Sequence, residues 1–293
     1  MSRSATDVLR GGFDTTVRNW QVLLFRIAEH LAMVAISVAA IIAIIVPIFV
    51  GIGLGRIDLG APPDESANII VAALLEHWKL LGFILLVITA VLGVFVVIHS
   101  FVQAGATEVY AADSFTSERF LRGAKRGWLP VFWIYNLAWV VAGVVILIPI
   151  APIPLIIIAS QGATGAIVAG CALLVLWAFF AAIVALLTVA WTTKATAIVM
   201  TRGVTARESL RDARKEIRAS FGLHFAVAFV MMVIWLGGSG VIGSISTILM
   251  AGHASPLAIV TAPAHLLLSV VQGIFSAGVE SWFLASYIKL SEH

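Results

Sequence analysis

Charge is what this chain has least of. Only 11% of its 293 residues are Asp, Glu, Lys or Arg, against about a quarter in an ordinary soluble domain. That excludes a water-soluble globular protein of this length. Cysteine is almost missing: Cys171 stands alone in an apolar run, so no intrachain disulfide can form. Catalytic signatures are missing too. There is no Walker-type loop, no GxSxG and no pair of acids spaced as in a hydrolase. Glu29-His30 and Glu76-His77 lack HExxH spacing and a cysteine partner, so no metal is expected. His224 and His265 read as packing or interface residues, and Gly51 to Gly55 as a close-packing helix end. Neither a cofactor nor an enzymatic activity is expected. The first 20 residues are too polar for a signal-peptide core, so the first apolar span is expected to act as its own insertion signal.

What is present is hydrocarbon. The chain is 61% hydrophobic with a mean hydropathy of +1.08. A bilayer needs roughly 20 apolar residues per helix. Six stretches qualify, at about 31–55, 80–103, 131–150, 165–191, 221–250 and 262–290. The expected fold is therefore all-α: one polytopic membrane domain over 1–293. Ala35, Ala39 and Ala43, and Gly162, Ala166 and Gly170, form small-residue stripes suited to close packing. The GGSG run at 237–240 permits close approach or a kink. Residues 56–67 read as a loop and 69–78 as a short amphipathic piece. The proline-bounded 151–163 fits either a turn or the start of the fourth span.

Short basic segments recur between these spans. Ala104–Phe132 and Thr193–Phe221 align without a gap at a shift of 89 positions. The shift pairs Thr107 with Thr196, Thr116 with Thr205, Leu121 with Leu210 and Ala124 with Ala213. A fainter copy sets Leu9-Arg10-Gly11 over Leu121-Arg122-Gly123. The chain reads as three hairpin repeats, about 4–103, 104–192 and 193–293, each opened by an amphipathic basic interfacial helix. In the first, Ser4 and Asp7 have capping spacing, and Leu9, Phe13, Val17 and Trp20 share one face. In the third, Thr205 to Glu208 is a capping box, with Leu210, Ala213 and Ile217 as a narrow apolar stripe. Sixteen of the 18 Lys and Arg residues fall with the N-terminus, the two basic segments and the C-terminus; Arg56 and Lys79 fall on the other side. The positive-inside rule then places both termini in the cytoplasm. Arg119, Arg122, Lys125, Arg126, Arg207, Arg211, Arg214, Lys215 and Arg218 are candidate contacts for anionic phospholipid headgroups. Membrane lipid, not nucleic acid, is the expected partner.

The same alignment gives the second helix of each hairpin a polar stripe. His99, Thr188 and Gln272 coincide, as do Gln103, Thr192 and Ser276, and Thr107, Thr196 and Glu280. Within each helix they stand at i, i+4 and i+8, on one face. Polar groups at membrane depth face the protein interior or a wet cavity. The stripe thus reads either as interhelical hydrogen bonding or as a vestibule open to the cytoplasm. Glu280 lies nine residues before Lys289, about 13 Å inside the helix end, and Lys194 is its expected partner. Left unpaired, Glu280 would be a proton site.

Six spans, an N-terminal interfacial helix ending near Asn19-Trp20 and basic helices before the third and fifth spans resemble the YciC-type bacterial inner-membrane proteins. They are also similar to the membrane domain attached to some bacterial glycerophosphodiester phosphodiesterases. The most similar piece is Thr205 to Phe221. The resemblance implies a fold and the bacterial cytoplasmic membrane; it carries over no active-site residues. The expected function is a non-enzymatic role in envelope or lipid homeostasis, interacting with anionic phospholipid. The alternatives are a small-solute or lipid transporter, and an accessory subunit of a phosphodiesterase-like partner.

Overall fold

A computed structural model describes residues 4–52, 78–150, 164–251 and 258–291. Among them the chain is all-helical, without a strand. The described residues hold eight helices: α1 Ala5–Arg18, α2 Gln21–Ile52, α3 Trp78–Ala111, α4 Ser117–Ile150, α5 Thr164–Arg202, α6 Ala206–Ala219, α7 Phe221–Ala251 and α8 Ala258–Lys289. Six of them, all but α1 and α6, are long and apolar enough to cross a membrane. In hydrocarbon a helix satisfies its own backbone, which is why such segments take this form. The protein is a multi-pass membrane protein. The expected loop 56–67, nearly all of 69–78 and the segment 151–163 lie outside the described residues.

The helices outrun the expected spans. α2 begins at Gln21, well before Leu31, and α3 and α5 run on to Ala111 and Arg202. Polar residues at these ends need not terminate a helix when they find partners inside the protein. One expected boundary is absent. The second basic segment is not a separate interfacial helix; it is the first part of α4, which continues through Pro130 to Ile150. α1 and α6 stop at the polar C-caps Asn19 and Ser220. At the aligned position α4 carries Val131, which has no capping group and is fully buried. Core packing of Val131 holds the helix together across the missing proline N–H.

The chain forms two compact units, residues 28–99 and residues 1–27 with 100–293. In the smaller unit Glu29 meets His99 at 2.6 Å. Its outward surface is aliphatic, with Val34, Val38, Leu85 and Leu86 exposed. Ala35, Ala39 and Ala43, expected to pack closely, are exposed as well.

In the larger unit α1 lies on α8, α4 on α5, α7 on α8, and α6 on α5. α1 starts with the expected capping box between Ser4 and Asp7. It buries its small face, Val8, Gly12, Thr15 and Thr16, and turns Phe13 and Val17 outward; these two and Trp20 in the following turn are each about half exposed. A Cβ on Gly12 would sit 2.7 Å from the Ser286 backbone nitrogen. Gly12→Val is therefore expected to lift α1 off α8, at a cost of roughly 1–3 kcal/mol, read as a lower thermal midpoint in detergent. The GGSG run does allow a close approach: the Phe275 ring occupies the space a side chain at Gly238 would need, while α7 runs through it as one helix. Phe25 and Phe120 stack with centroids 3.9 Å apart, in a core completed by Val22, Val109, Leu284 and Ile288.

Candidate functional site

The nine residues of the polar stripe are all buried or half-buried. Three threonines satisfy themselves within their own helices: Thr107 Oγ1 donates to Gln103 O, Thr188 Oγ1 to Val184 O and Thr192 Oγ1 to Thr188 O. Three residues reach across to another helix, His99 to Glu29 on α2 among them. Gln272 Nε2 donates to Ser239 Oγ on α7 at 2.8 Å, and Gln103 Oε1 accepts from Arg26 Nη2 on α2. Ser276 Oγ accepts from Gln272.

Arg26 was not among the expected site residues, yet it is the largest fully buried side chain among the described residues. Its guanidinium meets Gln103. The Tyr110 hydroxyl is buried without a hydrogen-bond partner. Thr196 Oγ1 and Ser281 Oγ are likewise buried without a partner. A charged group in this setting is costly unless bonded, so Arg26 holds α2 to α3 by necessity. The signal in the sequence is a lone arginine after Val22-Leu23-Leu24-Phe25, which the charge count places with the other basic residues near the N-terminus.

The expected Lys194–Glu280 pair is replaced. Lys194 Nζ is 2.8 Å from Glu216 Oε2 and also donates to Leu290 O and Ser291 Oγ. Glu216 Oε1 accepts from Arg202 at 2.7 Å. The physical reason is α6, which packs on α5 and carries Glu216 to the lysine. Glu280 is half-buried and takes part in an interaction of its own. Burial pushes the Glu216 carboxyl up, but Lys194 and Arg202 outweigh it and hold the group below the usual carboxylate range. At the head of α6, hydrogen bonds from Thr205 hold Glu208 low as well.

α6 has a sharply divided surface. Ser209, Leu210 and Ala213 are buried against the protein, with Trp191 Nε1 donating to Leu210 O at 2.8 Å. Arg207, Arg211, Arg214, Lys215 and Arg218 are all exposed. Arg211 and Lys215 share Asp212, at 3.5 and 3.7 Å. The basic residues opening α4 are more tied down. Arg119 donates to Ser114, Arg122 pairs with Glu118, and Arg126 bridges Glu108 and Met200 O; Lys125 is exposed. The five candidate headgroup contacts on α6 thus share one exposed face. No family model matches the chain, and no curated protein matches it in sequence.

Proposed function

We propose that this protein is a non-enzymatic component of the bacterial cytoplasmic membrane, of the YciC type, that holds anionic phospholipid against the outer face of α6. The observation that carries the reading is the division of that helix. Its apolar stripe is spent on the protein, so its five exposed cations act at the surface, where each contributes about 1 kcal/mol toward an anionic leaflet. Both termini lie in the cytoplasm by the charge bias of the flanking segments. The three-repeat reading is supported by helix starts at aligned positions: Ser4, Thr116 and Thr205 each accept from a backbone N–H three residues on.

The polar stripe is assigned to packing, because three of its four threonines bond within their helices and its glutamines bond across them. In nanodiscs assembled from mixed phosphatidylglycerol and phosphatidylcholine, the wild type is expected to enrich the anionic lipid, and 0.5 M salt, with a Debye length of about 4–5 Å, to erase the enrichment. Equal lipid ratios at low salt would contradict this reading. A transporter would instead show solute uptake in liposomes that Glu280→Gln or Gln103→Leu abolishes. An accessory subunit would co-purify with a soluble partner in mild detergent.

A further inference from the structure

A groove of 480 Å³ opens on the outer surface where α1 and the start of α2 meet α7 and α8. That volume lies in the usual range of sites for small ligands, about 300–1,000 Å³. Its walls are Phe13 and Val17 from α1, Trp20 from the turn after it, Ile234 from α7, and Ile274 and Trp282 from α8, among others. The few polar groups at its rim are already used. Trp282 Nε1 donates to Leu9 O at 2.7 Å and Thr16 Oγ1 to Gly12 O at 2.9 Å. The groove offers hydrocarbon nothing but hydrocarbon.

Its direction matters as much as its lining. Trp282 lies seven residues before the end of α8 at Lys289, and Ile274 lies fifteen. At 1.5 Å per residue the groove runs from about 10 to about 22 Å inside the helix end. Ile234 is thirteen residues into α7, about 20 Å along it. The groove thus descends along the spans from the level of α1. Arg10 stands on α1 three residues before Phe13 and seven before Val17, hence beside them on the helix surface. Arg10 is exposed. An acidic group above and a slender apolar chain below is the outline of a phospholipid. A void of this shape in a bilayer would forfeit dispersion contacts along its whole wall.

We propose that the groove is a lipid site: one acyl chain of an anionic phospholipid lies between α1 and α8, with the headgroup at Arg10. The site rests on the membrane location and not on the basic face of α6. Gly278 lines the groove, and a Cβ there meets nothing within 4 Å. Gly278→Leu therefore fills the site without colliding with the backbone.

The test uses the full chain in vesicles doped with phosphatidylglycerol carrying a diazirine on one acyl chain, with cross-linked peptides mapped by mass spectrometry. Label is expected to concentrate on residues 13–23 and 274–282. It should fall in Gly278→Leu to the level of other outward surfaces such as Val140-Val141. Arg10→Gln should reduce the preference for phosphatidylglycerol over phosphatidylcholine about fivefold, the equivalent of about 1 kcal/mol per surface cation. Should Gly278→Leu fail to fold, Ile274→Trp fills the groove from its exposed rim. Groove labelling should persist in the Arg207, Arg211, Arg214→Gln variant, separating this site from the α6 face. Uniform labelling of all outward faces, labelling unchanged by a folded filling variant, or no preference between the two lipids in the wild type would each overturn the proposal.

Discussion

Replacing Glu216 with leucine is expected to destabilise the protein by about 3–5 kcal/mol, the loss seen when one member of a buried ion pair is removed. Lys194 is 1% exposed and would keep only the Leu290 carbonyl and the Ser291 hydroxyl. Lys194→Met should be much milder, because Glu216 retains Arg202 at 2.7 Å and is itself partly exposed. The double variant should recover most of the loss, since an apolar pair of similar volume often matches a buried salt bridge. Thermal unfolding in detergent reads all three. Equal losses in the two single variants would mean that the pair does not organise this end of the protein.

The same carboxylate sets a pH dependence. Glu216 binds its proton less tightly when folded than at its ordinary value of 4.5. Its contribution is therefore complete above that value and fades as pH falls through the lower folded value. The thermal midpoint of the wild type should drop between pH 5 and pH 3 by more than that of Lys194→Met.

Gln103→Leu should produce the second large effect. Arg26 is fully buried and Gln103 Oε1 accepts from it. Removing an acceptor from a buried charged donor costs roughly 1.5–3 kcal/mol or more. Arg26→Met removes the charge together with its need for an acceptor, so at this contact it leaves a neutral amide short of a donor and not a guanidinium short of an acceptor, and it should cost less there. A midpoint for Gln103→Leu within error of the wild type would contradict the assignment of this contact as the tie between α2 and α3.

The six spans were legible because hydropathy is a local property: every long apolar run had to become a helix in lipid. The caps at Ser4 and Thr205 were legible for the same reason, since a hydroxyl three residues before an acid acts within one turn. Partners were not. Nothing local tells Lys194 that α6 will bring Glu216 to it, while Glu280 stands at a similar depth in the repeat. The role of Arg26 was not legible, because a positive charge near a membrane boundary looks like a topology signal until its side chain is seen to be buried. The continuity of α4 turned on a single residue, Val131, at a position where Asn19 and Ser220 end their helices. The outward face of α1 was visible as a periodicity, but the groove beside it needed α7 and α8 in place.

The most direct measurement is native mass spectrometry of the protein released from gentle detergent, with identification of any lipid it retains. Wild-type protein is expected to carry anionic phospholipid, and the Arg207, Arg211, Arg214→Gln variant to carry less of it, leaving the species bound at the groove between α1 and α8. Wild-type protein that emerges bare, or a triple variant that retains the same number of anionic lipids as the wild type, would contradict the assignment of α6 as a headgroup-binding face.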